Sequence, residues 1–239
     1  MNLRYLMKTR DMSLNARIVI PSKGRIAKLE TCLNSLFLSI ADKSNIFITL
    51  SFSVISEYEH FYSLLRHFDN ISFECVTEYR VPDFWNRHLQ NLKESCLIYL
   101  NDDVEIFKDT LDIALNDFER HFSDTDGLLG LTQANIHDIH KCQTAFGVIG
   151  RKYADRFPNR QVYPIMYERF FGDQEMWLYA NKINKFKLSR ASLNHYHASL
   201  DRTQEDATHR DVRKYLAQDK QTFAQRQSKQ LLWGNSFEI

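Results

Sequence analysis

Glycine and proline are scarce: 7 and 4 in 239 residues. Long flexible linkers and low-complexity segments are therefore not expected. No internal repeat is visible. An excess of one charge sign is also missing, since 31 Lys and Arg face 30 Asp and Glu. No global field then calls for a polyanionic partner. The cysteines Cys32, Cys75, Cys96 and Cys142 lie far apart with no CxxC pair. Three of them sit in apolar runs, which predicts buried free thiols in a reducing compartment, not a disulfide frame or zinc site. No run approaches the ~20 apolar residues of a membrane span. The N-terminus lacks the apolar core of a secretory signal. The expectation is a cytoplasmic protein with no membrane span.

What is present is ordinary for a soluble globular chain: 44% hydrophobic and 26% charged residues. The length suits one large domain, or one with a small extension, burying about 70% of its unfolded surface. Strand and helix patterns alternate. Apolar runs predict strands at Arg17–Pro21, Ile46–Ile55, Ile71–Val76 and Cys96–Leu100, the first stopped by Pro21. Helical stripes fall at Ile26–Ile40, Glu57–Phe68, Asp83–Lys93 and Phe107–Phe122. Four alternations argue for an α/β fold with a mainly parallel sheet and right-handed crossovers. Ligands bind at the carboxyl ends of such strands. Three turns fall there: Pro21–Arg25, Thr77–Arg80 and Asn101–Asp103.

The second half is less regular. Leu128–Gln133, Ala145–Ile149, Phe186–Leu188 and Leu193–His197 read as strands, and Gln174–Lys182 as a helix. Asp155–Phe170 reads as an aromatic loop. Thr203–Leu231 reads as polar helix with an apolar side at Val212, Tyr215, Leu216 and Phe223. The expected organisation is a lead-in at 1–15, a nucleotide-binding half at 16–133, an acceptor and catalytic half at 134–200, and a helical extension at 201–239.

The most informative stretch is Cys96-Leu97-Ile98-Tyr99-Leu100-Asn101-Asp102-Asp103. An apolar strand ends abruptly in two adjacent carboxylates, which repel each other and lose hydration near a core. Carboxylates placed there can hold a hard divalent cation that bridges to phosphates. The plainer alternative is a polar cap and solvated turn. Basic residues crowd the N-terminal end (Arg4, Lys8, Arg10, Arg17, Lys23, Arg25 and Lys28), either as solvated surface or as an anion-facing rim.

With these turns placed, residues 16–200 resemble the GT-A fold glycosyltransferases, especially the family-2-like enzymes that use nucleotide-diphosphate sugars. Four ordered pieces carry the resemblance. They are Arg17 to Arg25, Phe84-Trp85-Asn86-Arg87-His88-Leu89, Asn101-Asp102-Asp103 and Phe171-Gly172-Asp173-Gln174-Glu175-Met176-Trp177. Two positions depart from the family pattern: Asn101 stands for the first acid of the DxD motif, and Gly172 for a Glu before the catalytic Asp. The resemblance implies a Rossmann-like sheet flanked by helices with a smaller acceptor-side subdomain. It also implies an inverting, metal-dependent hexosyl or pentosyl transfer to an acceptor hydroxyl.

In that scheme Asp103 is the direct metal ligand, completed by His195 or His197, which share a face of an extended segment. Mn²⁺ suits mixed oxygen and imidazole ligands better than Mg²⁺. Asp173 is the general base with Glu175 in reserve, or else only a helix N-cap. Pro21, Ser22, Lys23, Arg25, Asn86, Asn101 and Asp102 fall on the donor side, where a UDP-sugar is expected. Trp85 reads as core. Trp177 and Tyr179 are expected to line the acceptor pocket or simply to pack. The acceptor is a surface glycan or a hydroxylated base in DNA, the latter tracked by Arg202, Arg210, Arg213, Lys214, Lys220, Arg226 and Lys229. Interleaved Glu205, Asp206, Asp211 and Asp219 favour a solvated helix instead. A nucleotidyltransferase is an alternative, although Gly24 stands alone where a Gly-rich phosphate loop is wanted. So is a non-catalytic nucleotide-sugar-binding protein of the same fold.

Overall fold

The computed structural model describes residues 14–76, 80–136, 143–196 and 207–231, with the backbone alone at 208, 209 and 212. Among them one sheet holds eight strands: β1 (Ala16–Ser22), β2 (Ile46–Phe52), β3 (Ile71–Cys75), β4 (Cys96–Tyr99), β5 (Val104–Ile106), β6 (Leu128–Gln133), β7 (Gly147–Gly150) and β8 (Phe186–His195). Their spatial order is β3-β2-β1-β4-β7-β6-β8-β5. Six strands run one way, and β5 and β7 run against them. This is the mainly parallel α/β sheet the alternating pattern predicts.

The helices are α1 (Ile26–Leu38), α2 (Ile55–Leu65), α3 (Val81–Gln90), α4 (Thr110–His121), α5 (Arg151–Ala154), α6 (Gly172–Lys182), α7 (Ala207–Arg213) and α8 (Leu216–Ser228). No helix among the described residues is long and apolar enough to cross a membrane. Alternate residues of β1 serve two separate cores. Ile18 and Ile20 pack with Leu29, Cys32, Leu33 and Leu36 of α1, while Val19 packs with Leu97, Phe84, Trp85 and Met176. A strand buried on both faces needs the near-continuous apolar run that made it legible. Each fully buried Leu or Ile contributes about 1.5–3 kcal/mol.

Several expectations needed correction. Pro21 does not stop β1; it lies inside the strand opposite Ser51 of β2. Val19 accepts from Leu100 N, so Pro21, two residues on, faces the same β4 side. The β1–β4 ladder has ended by then, and the missing N–H costs no bond. The segment after Asp103 is not all turn and helix, because Val104–Ile106 forms β5 against β8. The two short strands expected near residues 186–197 are one strand, β8. A bulge opposite Gly130–Thr132 of β6 interrupts its pattern. Asp117 of α4 holds that bulge by accepting from Ser189 Oγ and from Arg190 N.

Cys32 and Cys96 are buried, but Cys75 is exposed on edge strand β3, and Cys142 lies outside the described residues. The C-terminal segment is two helices, not one, and Leu216 is exposed. The buried residues of α8 are Asp219, Phe223 and Arg226, so its inner face carries two charges.

Candidate functional site

The site is built at the carboxyl edge of β1, β4 and β8. After Ser22 the chain turns through Gly24, whose φ of +68° lies in the left-handed region that glycine enters without strain. That turn closes around the buried carboxylate of Glu57, in the first turn of α2. Glu57 accepts from Ser22 Oγ at 2.6 Å, Gly24 N at 2.7 Å and Arg25 N at 3.1 Å. Ser22 Oγ also lies 2.8 Å from Asp102 Oδ2. A hydroxyl holds one proton, so both carboxyl contacts are hydrogen bonds only when one carboxyl is itself protonated. Asp102 suits that role. Burial above all, and the Asp103 charge, push its carboxyl up to about 6 against the opposing pull of Arg25.

Arg25 Nη1 donates to Asp102 Oδ1 at 2.8 Å and to Asp103 Oδ2 at 3.3 Å. One guanidinium thus faces both carboxylates, all three largely buried. Asp103, expected as the direct metal ligand, is in this structure part of an ion pair. A divalent ion at Asp103 would share or displace that contact.

The opposite side of Asp103 meets β8. His195 Nε2 lies 3.6 Å from Asp103 Oδ1, and His195 Nδ1 lies 2.8 Å from Gln133 Oε1. An amide oxygen accepts only, which assigns a proton to Nδ1 and leaves Nε2 as the nitrogen that faces Asp103. The edge of Phe146 packs against the ring at 4.7 Å. Asn135 exchanges two hydrogen bonds with the His195 backbone, each 2.9 Å, and Tyr196 N donates to Asp103 O at 2.9 Å.

A histidine with one nitrogen fixed by an amide and the other facing a carboxylate has the supporting shell of a metal ligand. The mixed oxygen and nitrogen donors fit Mn²⁺. The described residues contain no cluster of three or more His, Cys, Asp or Glu that could hold a metal. They offer two donors, with the rest of a shell left to water, phosphate or His197, which lies outside the described residues.

Asp173 lies in the first turn of α6, inside the helix and not at its N-cap, which is Phe171. Its Oδ1 accepts from Gln174 N at 2.9 Å. Its backbone carbonyl accepts from Thr144 Oγ1 at 2.7 Å, and Thr144 O accepts from Tyr99 OH at 2.9 Å. Two hydrogen bonds therefore connect Asp173 to Tyr99, the last residue of β4, two residues before Asn101 and three before Asp102.

Other expected site residues have different surroundings. Glu175 is fully buried, with Oε2 bonded by Tyr167 OH at 2.5 Å and by Arg226 Nε at 3.0 Å, and Oε1 by Arg226 Nη2 at 2.6 Å. Both oxygens are engaged in a structural link. Asn86 is buried and closes a ring with the backbone of Tyr163, donating to its O at 2.8 Å and accepting from its N at 2.9 Å. Trp85 is core, against Phe84, Tyr99 and Tyr163. Trp177 lies one turn from Asp173 on the same helix face, with its ring edge-on to Phe186. Tyr179 points elsewhere and packs on Phe157. Lys23 is exposed and pairs with exposed Asp211 of α7 at 3.0 Å. Asn101 O receives a weak contact from Cys32 Sγ at 3.6 Å. Arg17 is at the other end of β1 and pairs with Glu94 at 2.5 Å, away from any anion rim at Ser22. Thr77, Glu78 and Tyr79 lie outside the described residues.

Sequence reading missed Glu57 and Gln133, and took Asp219 and Arg226 for residues of a solvated or phosphate-tracking helix, whereas both are buried. In sequence each sits among polar helix or strand-end residues, and no spacing rule separates it from a solvated neighbour.

No protein-family model matches the chain, and no curated protein sequence matches it. Solved structures do. Residues 1–349 of S. aureus TarS superpose with a TM-score of 0.57 at 13% identity, covering 75% of this chain and 59% of that one. TarS 1–349 in complex with UDP-GlcNAc gives 0.58 at 12%, covering 81% and 62%. The same TarS piece has also been solved with UDP. The chain thus spans about six-tenths of the length of these TarS pieces. At such identity the likeness shows the fold: a GT-A-like, Rossmann-like arrangement.

Proposed function

We propose that the protein is a family-2-like glycosyltransferase that moves a sugar from a nucleotide-diphosphate donor, a UDP-sugar by first choice, to an acceptor hydroxyl with inversion. One observation carries the reading. Asp102 and Asp103 at the end of β4, Arg25 from the β1–α1 turn and His195 from β8 meet at one sheet edge, with Asp173 tied back to β4 through Thr144. The complexes of TarS with UDP and UDP-GlcNAc support the choice of donor class.

Transfer makes two demands: negative charge gathers on the departing diphosphate, and the acceptor hydroxyl must lose a proton. Arg25 and Lys23 lie where a diphosphate would emerge from the β1 edge, and a guanidinium matches phosphate oxygens two at a time. Asp103 and His195 would hold Mn²⁺ or Mg²⁺, which when bound acts as a Lewis acid on the diphosphate. Asn101 offers a neutral polar group to ribose or base, while buried Ser22 orients the turn through Glu57 and Asp102. Asp173, at a helix N-terminus that favours negative charge, takes the acceptor proton. Attack opposite the leaving group inverts the anomeric centre. Trp177, on the Asp173 face, is the nearer of the two expected aromatics to an acceptor.

A thermal-shift screen of nucleotide-sugars, with Mn²⁺ and with EDTA, tests the reading, because a ligand that binds only the folded state raises Tm by mass action. A metal-dependent shift with one nucleotide-sugar is expected. No shift across UDP-, GDP- and CMP-sugars would remove the proposal. Asp173→Asn should then keep donor binding and lose transfer.

A second reading follows from the Arg25 pair itself. The guanidinium offsets part of the charge of Asp102 and Asp103 and stands at the same edge, so the donor diphosphate can be met by Arg25 without a divalent ion. In that case the donor-induced shift survives EDTA unchanged.

A further inference from the structure

Helix α8 presents Asp219, Phe223 and Arg226, spaced i, i+4 and i+7, on the face it buries. All three grip one short segment, the turn that leads into α6. Asp219 is fully buried and accepts from three successive backbone N–H groups: Glu168 at 3.0 Å, Arg169 at 2.8 Å and Phe170 at 2.8 Å. Such a run of amides forms an anion-binding nest, here filled by a carboxylate of the same chain. Phe223 stacks on Phe171 with ring centroids 5.3 Å apart. Arg226 meets Glu175 through two hydrogen bonds, and Tyr167 OH adds a third contact.

The gripped segment needs holding. Phe171 has φ +68°, a left-handed conformation that a bulky side chain adopts only when its surroundings over-determine it. Phe171 is the residue before α6, and Asp173 stands two residues later. Fixing Phe171, the amides before it and Glu175 after it fixes where the Asp173 carboxylate stands. These contacts of Asp219, Phe223 and Arg226 run to this turn and the start of α6.

We propose that Asp219 and Arg226 are positioning residues for Asp173: α8 clamps the 167–175 turn and so sets the geometry of the base. This rests on the glycosyltransfer reading above. A displacement of about 1 Å at a reacting group can cost on the order of 10²-fold in rate.

The test compares wild type with Asp219→Asn, Arg226→Met and Arg226→Lys in the full chain. UDP affinity and stoichiometry come from calorimetry, donor turnover from UDP-GlcNAc hydrolysis with Mn²⁺, and the turn itself from amide hydrogen exchange over residues 167–175. Asp219→Asn and Arg226→Met are expected to speed exchange across the turn. Their kcat should fall about 10–100-fold, while UDP affinity stays within about twofold and stoichiometry stays at one. Arg226→Lys should recover part of the loss. Should Arg226→Met fail to fold, Asp219→Asn and Arg226→Lys carry the test. Wild-type exchange in these variants, or fast exchange with unchanged kcat, overturns the inference. Wild-type protein that binds UDP but turns over no donor strikes the glycosyltransfer reading and the kinetic claim together, while the exchange data still decide whether α8 holds the turn.

Discussion

His195 Nε2 and Asp103 Oδ1 face each other across 3.6 Å, with the imidazole held from behind by Gln133. Two groups so placed suit a cation between them. Gln133→Leu keeps the residue's approximate size and removes the amide that fixes the ring. Outer-shell losses of this kind cost about 10–100-fold in metal affinity. Mn²⁺ titration by calorimetry in the presence of UDP should show that loss, with a larger one for Asp103→Ala. Equal Mn²⁺ affinity in all three proteins would leave Arg25 as the charge that meets the donor.

Glu57 is the hub of the β1–α1 turn, since three donors converge on it. Glu57→Gln replaces one acceptor oxygen with an NH₂ group that faces those donors. A buried donor left without its acceptor costs about 1–3 kcal/mol. A lower denaturant midpoint with an unchanged slope should report it. UDP affinity should fall as well, because Ser22 and Arg25 take their orientation from this carboxylate. A variant of wild-type stability would show that the turn holds its shape without Glu57.

The donor-side expectation for Asn86 and its place in the structure can be separated by experiment. The structure closes its amide on the backbone of Tyr163, which leaves it as a lock on the aromatic loop. Asn86→Ala strands one buried N–H and one buried C=O, a loss of about 2–4 kcal/mol by the cost of unmet hydrogen bonds. Tm should drop by several degrees while UDP affinity stays within about twofold. A selective loss of UDP affinity at normal Tm would return Asn86 to the donor site.

The first half of the fold was legible because each element repeats one pattern. The α1 stripe of Leu29, Cys32, Leu33 and Leu36 is buried as its spacing requires. The apolar runs of β1, β2 and β4 are interior on both faces, which is why they stand out in sequence. Elements that escaped notice have physical reasons too. Strand β5 is three residues long, too short for any period. Strand β8 carries a bulge whose polar residues are satisfied by Asp117, a partner 72 positions away from Ser189. Of the site, Ser22, Arg25, Asp102, Asp103 and His195 do converge, since turns at strand ends announce themselves. Charges buried by long-range pairing do not: Glu57 and Arg226 look like any solvated helix residue until their partners are placed.

Asp126 offers a stability prediction with a defined pH window. It is buried between Arg156 and Lys185, with Arg156 Nε at 2.5 Å and Lys185 Nζ at 2.6 Å. The hydrogen bond from Arg156 above all, then that from Lys185, hold its carboxyl down to about 2, against the opposing effect of burial. The ordinary Asp value is about 3.9. A carboxyl depressed in the folded state stabilises the fold above the unfolded value. It loses that contribution as pH falls through the folded one. Full stabilisation is therefore present above about pH 4 and drains away toward pH 2. Arg156 is partly open to solvent, so screening reduces the contribution to about 1 kcal/mol, or roughly 2–4 °C in Tm for a chain of this size. Asp126→Asn should melt lower than wild type by that amount at pH 7. The gap should narrow steadily as pH falls from about 4 toward 2, the window between the unfolded and folded values, as protonation gives the wild-type carboxyl the same neutral charge. A gap that stays constant over that range would mean that the arginine and lysine contacts add nothing to stability.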